Sequence, residues 1–138
     1  MSIGLVVATG GPASAATDTT LFTMTGENGD YIAGPATYTY TPADATFTPQ
    51  GTSGAVDFSV IQPGYTHWWY VNFKSPDAGD LVAGTTYTDA QRAPFAVAPH
   101  PGLEISGDGR GCNTLTGSFT VLEIQRDPTT DVVTKFAA

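Results

Sequence analysis

Short runs rich in Thr, Val, Tyr and Phe alternate along most of the chain with clusters of Gly, Pro, Asp and Asn, the spacing of half-buried strands and their turns. Period-two alternation is clearest at Val56, Phe58 and Val60, which take one face against Asp57 and Ser59. Tyr38 and Tyr40 likewise share a face against flanking threonines. Candidate strands cover residues 20–24, 36–41, 45–48, 55–61, 67–73, 85–88, 103–106, 115–124 and 132–136, the eighth reading as a long central strand with Cys112 just ahead of it. These are about nine short strands, and no segment carries the period of a substantial helix. The expected fold is all-β: an antiparallel β-sandwich, or a barrel-like closure as the alternative, since either covers the apolar face of each sheet. Glu27-Asn28-Gly29-Asp30 and Asp108-Gly109 supply turn residues tolerant of positive φ, while Pro42, Pro76 and Pro128 mark positions unsuited to a central strand.

The start of the chain breaks this pattern. An apolar run, Ile3-Gly4-Leu5-Val6-Val7-Ala8, is followed by Ala13-Ser14-Ala15, a small-x-small pattern of the kind signal peptidases cut. Residues 1–15 therefore read as a partial signal peptide, and residues 16–138 as one β-sandwich domain of a secreted protein. The charged leader that precedes such a run is missing, which places the true start upstream of Met1; the other reading of this stretch is an N-terminal arm. No stretch approaches the roughly 20 apolar residues of a bilayer-spanning helix, so no membrane span is expected.

Composition narrows the functional classes. Thirteen acidic against five basic residues give a net charge of −8, which repels phosphate backbones and anionic lipids, so no nucleic acid is expected as a partner. With 41% hydrophobic residues, 13% charged, 16 Gly and 10 Pro, the chain can build a core and is rich in turns. There is no internal repeat or low-complexity linker.

The densest aromatic run is Tyr65-Thr66-His67-Trp68-Trp69-Tyr70-Val71-Asn72-Phe73. On a strand its alternate positions face opposite ways. Placing Trp69, Val71 and Phe73 inward leaves His67 on their side and puts Trp68, Tyr70 and Asn72 outside. An outward Trp and Tyr two positions apart form an apolar platform with polar edges, on which a sugar ring or a partner side chain can stack. These three residues are the candidate ligand-binding set, with a carbohydrate or cell-surface polymer as partner; the competing reading is that neighbouring loops cover both faces.

Other chemistry is sparser. His67 and His100 are the only histidines, with no nucleophile elbow of the Gly-x-Ser-x-Gly type and no zinc-ligand spacing, so no catalytic set is assigned. A secreted hydrolase using Glu104 and Glu123, or an Asp with His67, would need these groups to converge in a cleft. Asp30, Asp77, Asp80 and Asp108 lie in Gly-rich turns and are weak candidates for calcium, none within a complete loop motif; such side chains more often stabilise the turn itself. Cys112 is the only cysteine. Secreted domains hold cysteines in pairs, so an odd one signals an intermolecular disulfide, a buried thiol, or a partner outside the sequence.

The run 105–123, centred on Gly107-Asp108-Gly109-Arg110-Gly111-Cys112-Asn113-Thr114-Leu115-Thr116-Gly117, resembles a signature of an uncharacterised β-rich domain of secreted bacterial proteins, as do Gly29-Asp30-Tyr31-Ile32, Tyr40-Thr41-Pro42-Ala43-Asp44 and His67-Trp68-Trp69-Tyr70. The resemblance spans nearly all of residues 16–138. It implies export and a β-rich fold, and carries no activity or catalytic residue with it. Domains of this kind continue past the point matching Phe136-Ala137-Ala138 into a second cysteine and a final strand. By that resemblance the chain is truncated at its C-terminus, lacks its last strand, and Cys112 pairs with a partner outside it. A non-catalytic binding or interaction module is the expected function, and a purely structural domain the alternative.

Overall fold

A computed structural model describes residues 2–7, as backbone, and residues 19–138. Two sheets pack face to face as an all-β sandwich. The twelve described strands are β1 (Ser2–Val7), β2 (Leu21–Thr25), β3 (Thr37–Tyr40), β4 (Thr46–Thr52), β5 (Ala55–Ile61), β6 (Trp68–Lys74), β7 (Thr86–Arg92), β8 (Gly102–Gly107), β9 (Arg110–Gly111), β10 (Thr116–Thr120), β11 (Glu123–Arg126) and β12 (Val133–Ala137). One sheet runs β11-β12-β1-β2-β3; the other runs β10-β7-β8-β6-β5-β4, with β9 paired to β8. Single 3-10 turns at Pro63–Tyr65 and Ala93–Phe95 are the only helical pieces among the described residues. No helix there is long and apolar enough to cross a membrane.

Alternation decides which face each strand buries. Val56, Phe58 and Val60 of β5 and Trp69, Val71 and Phe73 of β6 are all buried, and Phe22 and Met24 of β2, Tyr40 of β3 and Phe136 of β12 meet them from the other sheet. Phe136 lies 5.4 Å from Phe58 and 5.2 Å from Phe73, ring centre to ring centre, while Tyr38 stands 5.0 Å from Trp69. These contacts join the sheets at two separate points.

Three elements differ from the sequence expectation. The stretch 115–124 is not one central strand. It divides into β10, at an edge of one sheet, and β11, at an edge of the other. Val121 sits at the crossing, fully buried, with its N–H donating to Thr85 O (3.0 Å) and its carbonyl accepting from Gly84 N–H (2.7 Å), while Leu122 N–H donates to Ala137 O (2.8 Å). Burial at Phe119 and Val121 keeps a two-residue period through the break, so the apolar pattern conceals it. Second, β7 continues to Arg92 past Asp89, whose φ of 56° interrupts the alternation, and touches β8 through one short parallel contact. Third, Ser2–Val7, within the expected leader, forms β1 between β12 and β2. The Ala13-Ser14-Ala15 pattern lies outside the described residues.

Turn chemistry follows the expected residues. Asp108 and Gly109 take φ values of 49° and 74° and close the β8–β9 hairpin, and Gly29 takes 89° after β2. Pro49 falls inside β4, which tolerates it because β4 ends its sheet and one side has no ladder to supply.

Candidate ligand-binding face

The outward side of β6 carries Trp68, Tyr70 and Asn72, in the alternation the sequence predicts. Trp68 is half-buried and Tyr70 is 40% exposed. Register sets their neighbours: Ile61 of β5 stands opposite Trp68, Ser59 of β5 and Ser106 of β8 flank Tyr70, and Asp57 of β5 and Glu104 of β8 flank Asn72. Tyr65, 61% exposed on the turn before β6, meets Trp68 edge to face at 6.3 Å. Sequence reasoning left Tyr65 out of the set, because its place depends on a φ of 55° that turns the chain back over the sheet. The result is a row of three aromatic rings continued by a polar end.

That polar end is organised by side-chain bonds. Asn72 Nδ2 donates to Asp57 Oδ1 at 2.6 Å, which fixes the amide and leaves its carbonyl oxygen available as an acceptor. Glu104, buried despite its charge, accepts from Arg92 Nε at 3.0 Å. A carboxylate in so dry a position needs such a partner, and this pair holds β7 against β8.

Asp108 anchors the opposite end. Its Oδ1 accepts from Trp68 N–H (3.0 Å), its Oδ2 lies 2.5 Å from His67 Nδ1, and Arg110 approaches to 3.6 Å. Arg110 also stands over the Trp69 ring at 6.0 Å, a cation–π contact that ties the β8–β9 hairpin to β6. His67 lies on the Trp69 side of the strand, against Tyr38 at 5.7 Å.

The remaining candidates do not join this face as one cluster. Glu104 belongs to one sheet and Glu123 to the other, where Glu123 pairs with Lys135 at 3.1 Å and accepts from Gln125 at 2.8 Å. Asp30 accepts from the N–H groups of Ile32 and Ala33 (2.8 and 3.0 Å), Asp77 from Gly79 N–H (2.9 Å), and Asp80 from Arg126 Nη1 (2.8 Å). Among the described residues no group of three or more His, Cys, Asp or Glu side chains is placed to hold a metal ion. His100 Nδ1 pairs with Asp89 at 2.9 Å.

Cys112 is a half-buried free thiol on the opposite side of the sheet from the aromatic row. It borders a cavity of about 810 Å³ lined by Val71, Phe73, Leu103 and Ile105 together with the polar residues Thr114, Thr116 and Ser118. Burial pushes its pKa up, with the charges of Asp30 and Glu104 adding and Arg92 opposing. A raised pKa lowers the thiolate fraction at neutral pH and slows disulfide exchange.

No family model matches this chain, and neither the curated proteins nor the solved structures contain a match to it.

Proposed function

We propose that this chain is a non-catalytic binding module of an exported or cell-surface protein, and that the outer face of β5, β6 and β8 holds a carbohydrate or cell-surface polymer. The observation that carries the reading is the row Tyr65, Trp68, Tyr70 and Asn72, in which exposed Tyr65 and Tyr70 and half-buried Trp68 stand beside an amide already fixed by Asp57. Rings stack on the apolar face of a sugar, and the amide oxygen, Ser59 and Ser106 meet its hydroxyls. A net charge of −8 favours a neutral polymer over an anionic one. A purely structural domain would have two wet faces without such a row. Export is supported by the resemblance to a domain of secreted bacterial proteins.

The test is retention on insoluble neutral polysaccharides and on a glycan array, with Trp68→Ala and Tyr70→Ala as variants. Loss of either ring is expected to weaken binding about tenfold, the factor for roughly 1.4 kcal/mol of stacking. Retention of none of these polymers by the unaltered protein, or undiminished retention by the double variant, refutes the proposal.

A further inference from the structure

The buried face of β6 and β8 is covered unevenly. β7 and β8 share only the register pairs Gln91–Gly102 and Arg92–Leu103, so the rest of β8 has β6 on one side and the two-residue β9 on the other. β10, paired to β7, approaches β8 without a ladder between them: Phe119 meets Phe73 edge to face at 5.1 Å, and a Cβ at Gly117 would lie 3.6 Å from Leu103 Cδ2. The cavity of about 810 Å³ lies at this approach. Its lining takes Val71 and Phe73 from β6, Leu103 and Ile105 from β8, Phe119 from β10, and Cys112 from the segment between β9 and β10.

Size and lining limit what the cavity can hold. A volume of about 810 Å³ falls within the roughly 300–1,000 Å³ of sites that take one small molecule. Phe73, Leu103 and Phe119 keep only 4%, 9% and 8% of their surface open, so the apolar wall is recessed and a flat macromolecular surface does not reach it. Among the described residues the lining holds no Asp, Glu, Lys, Arg or His, although the chain carries 13 acidic and five basic residues. An ion entering such a site sheds its water and meets no counter-charge, whereas an uncharged apolar molecule gains by leaving water. Thr114, Thr116 and Ser118 each bring a hydroxyl, and Cys112 a weak thiol donor, to satisfy a polar atom of the ligand.

We propose that this cavity is a binding site, separate from the aromatic row on the other side of the sheet, for one uncharged aliphatic or alicyclic molecule that carries a hydroxyl or carbonyl group. The apolar wall supplies the affinity. The lack of charge in the lining excludes carboxylates and amines of the same skeleton.

The test uses the full chain and N-phenyl-1-naphthylamine, a neutral apolar dye that fluoresces on leaving water. Saturation at about one dye per chain is expected, since sites of this kind are few in a protein. Decanol is expected to displace the dye at a concentration at least about tenfold below that of decanoate or decylammonium, because each ion would enter without a partner. Saturating decanol is also expected to protect Cys112, part of the lining, from reaction with the neutral thiol reagent 4,4′-dithiodipyridine. Gly117→Leu adds a side chain directed at Leu103 from a position with room for its Cβ, and is expected to abolish saturable dye binding. The proposal is overturned by absence of saturable dye binding to the unaltered protein, by equal displacement with decanol and decanoate, or by undiminished binding to a folded Gly117→Leu variant. If that variant does not fold, Cys112 decides: protection by decanol upholds the site, and an unchanged reaction rate removes it.

Discussion

Replacing Phe136 by Ala tests the packing on which the ligand face is built. Phe136 is fully buried and touches Phe58 at 5.4 Å and Phe73 at 5.2 Å, so it bears on β5 and β6, the two strands that carry most of the face. A buried Phe removes about 150–250 Å² from water, which at about 25 cal/mol per Å² is roughly 4–6 kcal/mol, an upper value because the unfolded chain is already partly collapsed. Core Phe-to-Ala changes cost about 3–5 kcal/mol, in agreement. With total stabilities of about 5–15 kcal/mol, that is a large share. The assay is urea unfolding followed by tryptophan fluorescence, Trp69 being fully buried. For a slope of about 2 kcal/mol per M, the midpoint is expected to fall by roughly 2 M with the slope unchanged. Pairing the change with Phe58→Leu in a double-mutant cycle is expected to give about 0.5–1.5 kcal/mol of coupling. A loss below about 1 kcal/mol from Phe136→Ala, or no coupling, would mean that β12 does not pack on β5 and β6, and the reasoning would fail.

Two further outcomes follow from the same geometry. A Cβ at Gly107 would stand 2.2 Å from Trp68 O and 2.3 Å from Trp69 Cε3, so Gly107→Ala is expected to cost about 1–3 kcal/mol or more in thermal or urea unfolding and to weaken ligand retention with it; a neutral result would contradict the close approach of Gly107 to Trp69, its register partner in the β6–β8 pair. Burial raises the pKa of Tyr40 beyond what the hydrogen bond from Trp69 Nε1 at 3.3 Å takes back, so the folded state keeps this phenolic proton where the unfolded chain releases it. Its contribution to stability is full below about pH 10 and is lost as pH rises through the folded value, so the difference between the native protein and Tyr40→Phe in urea midpoint is expected to shrink with rising pH; a widening difference would reverse the sign.

Strand identity and facing were legible wherever alternation was strict. Residues 55–61 were bounded to the residue, and the outward set Trp68, Tyr70 and Asn72 followed from parity alone. Parity does not report a change of sheet, which is why the run through Phe119 and Val121 read as one strand while the backbone bonds of Val121 and Leu122 divide it. Nor does local pattern distinguish an apolar leader from an apolar central strand, since both need a short uncharged run such as residues 3–8. Tyr65 and the Glu104–Arg92 pair were hidden for a different reason. Each depends on a contact made by a turn or a strand crossover, and neither has a sequence period.

The crossing at Val121 has a consequence for how the molecule opens. Its N–H is held by the loop leading into β7, and the next N–H, of Leu122, is held by β12 in the other layer. Consecutive amides thus answer to different layers, and neither layer can peel away while both bonds persist. Deuterium uptake at these two positions should therefore keep pace with complete unfolding rather than with local fraying, making this short stretch a gauge of whether the two layers part together.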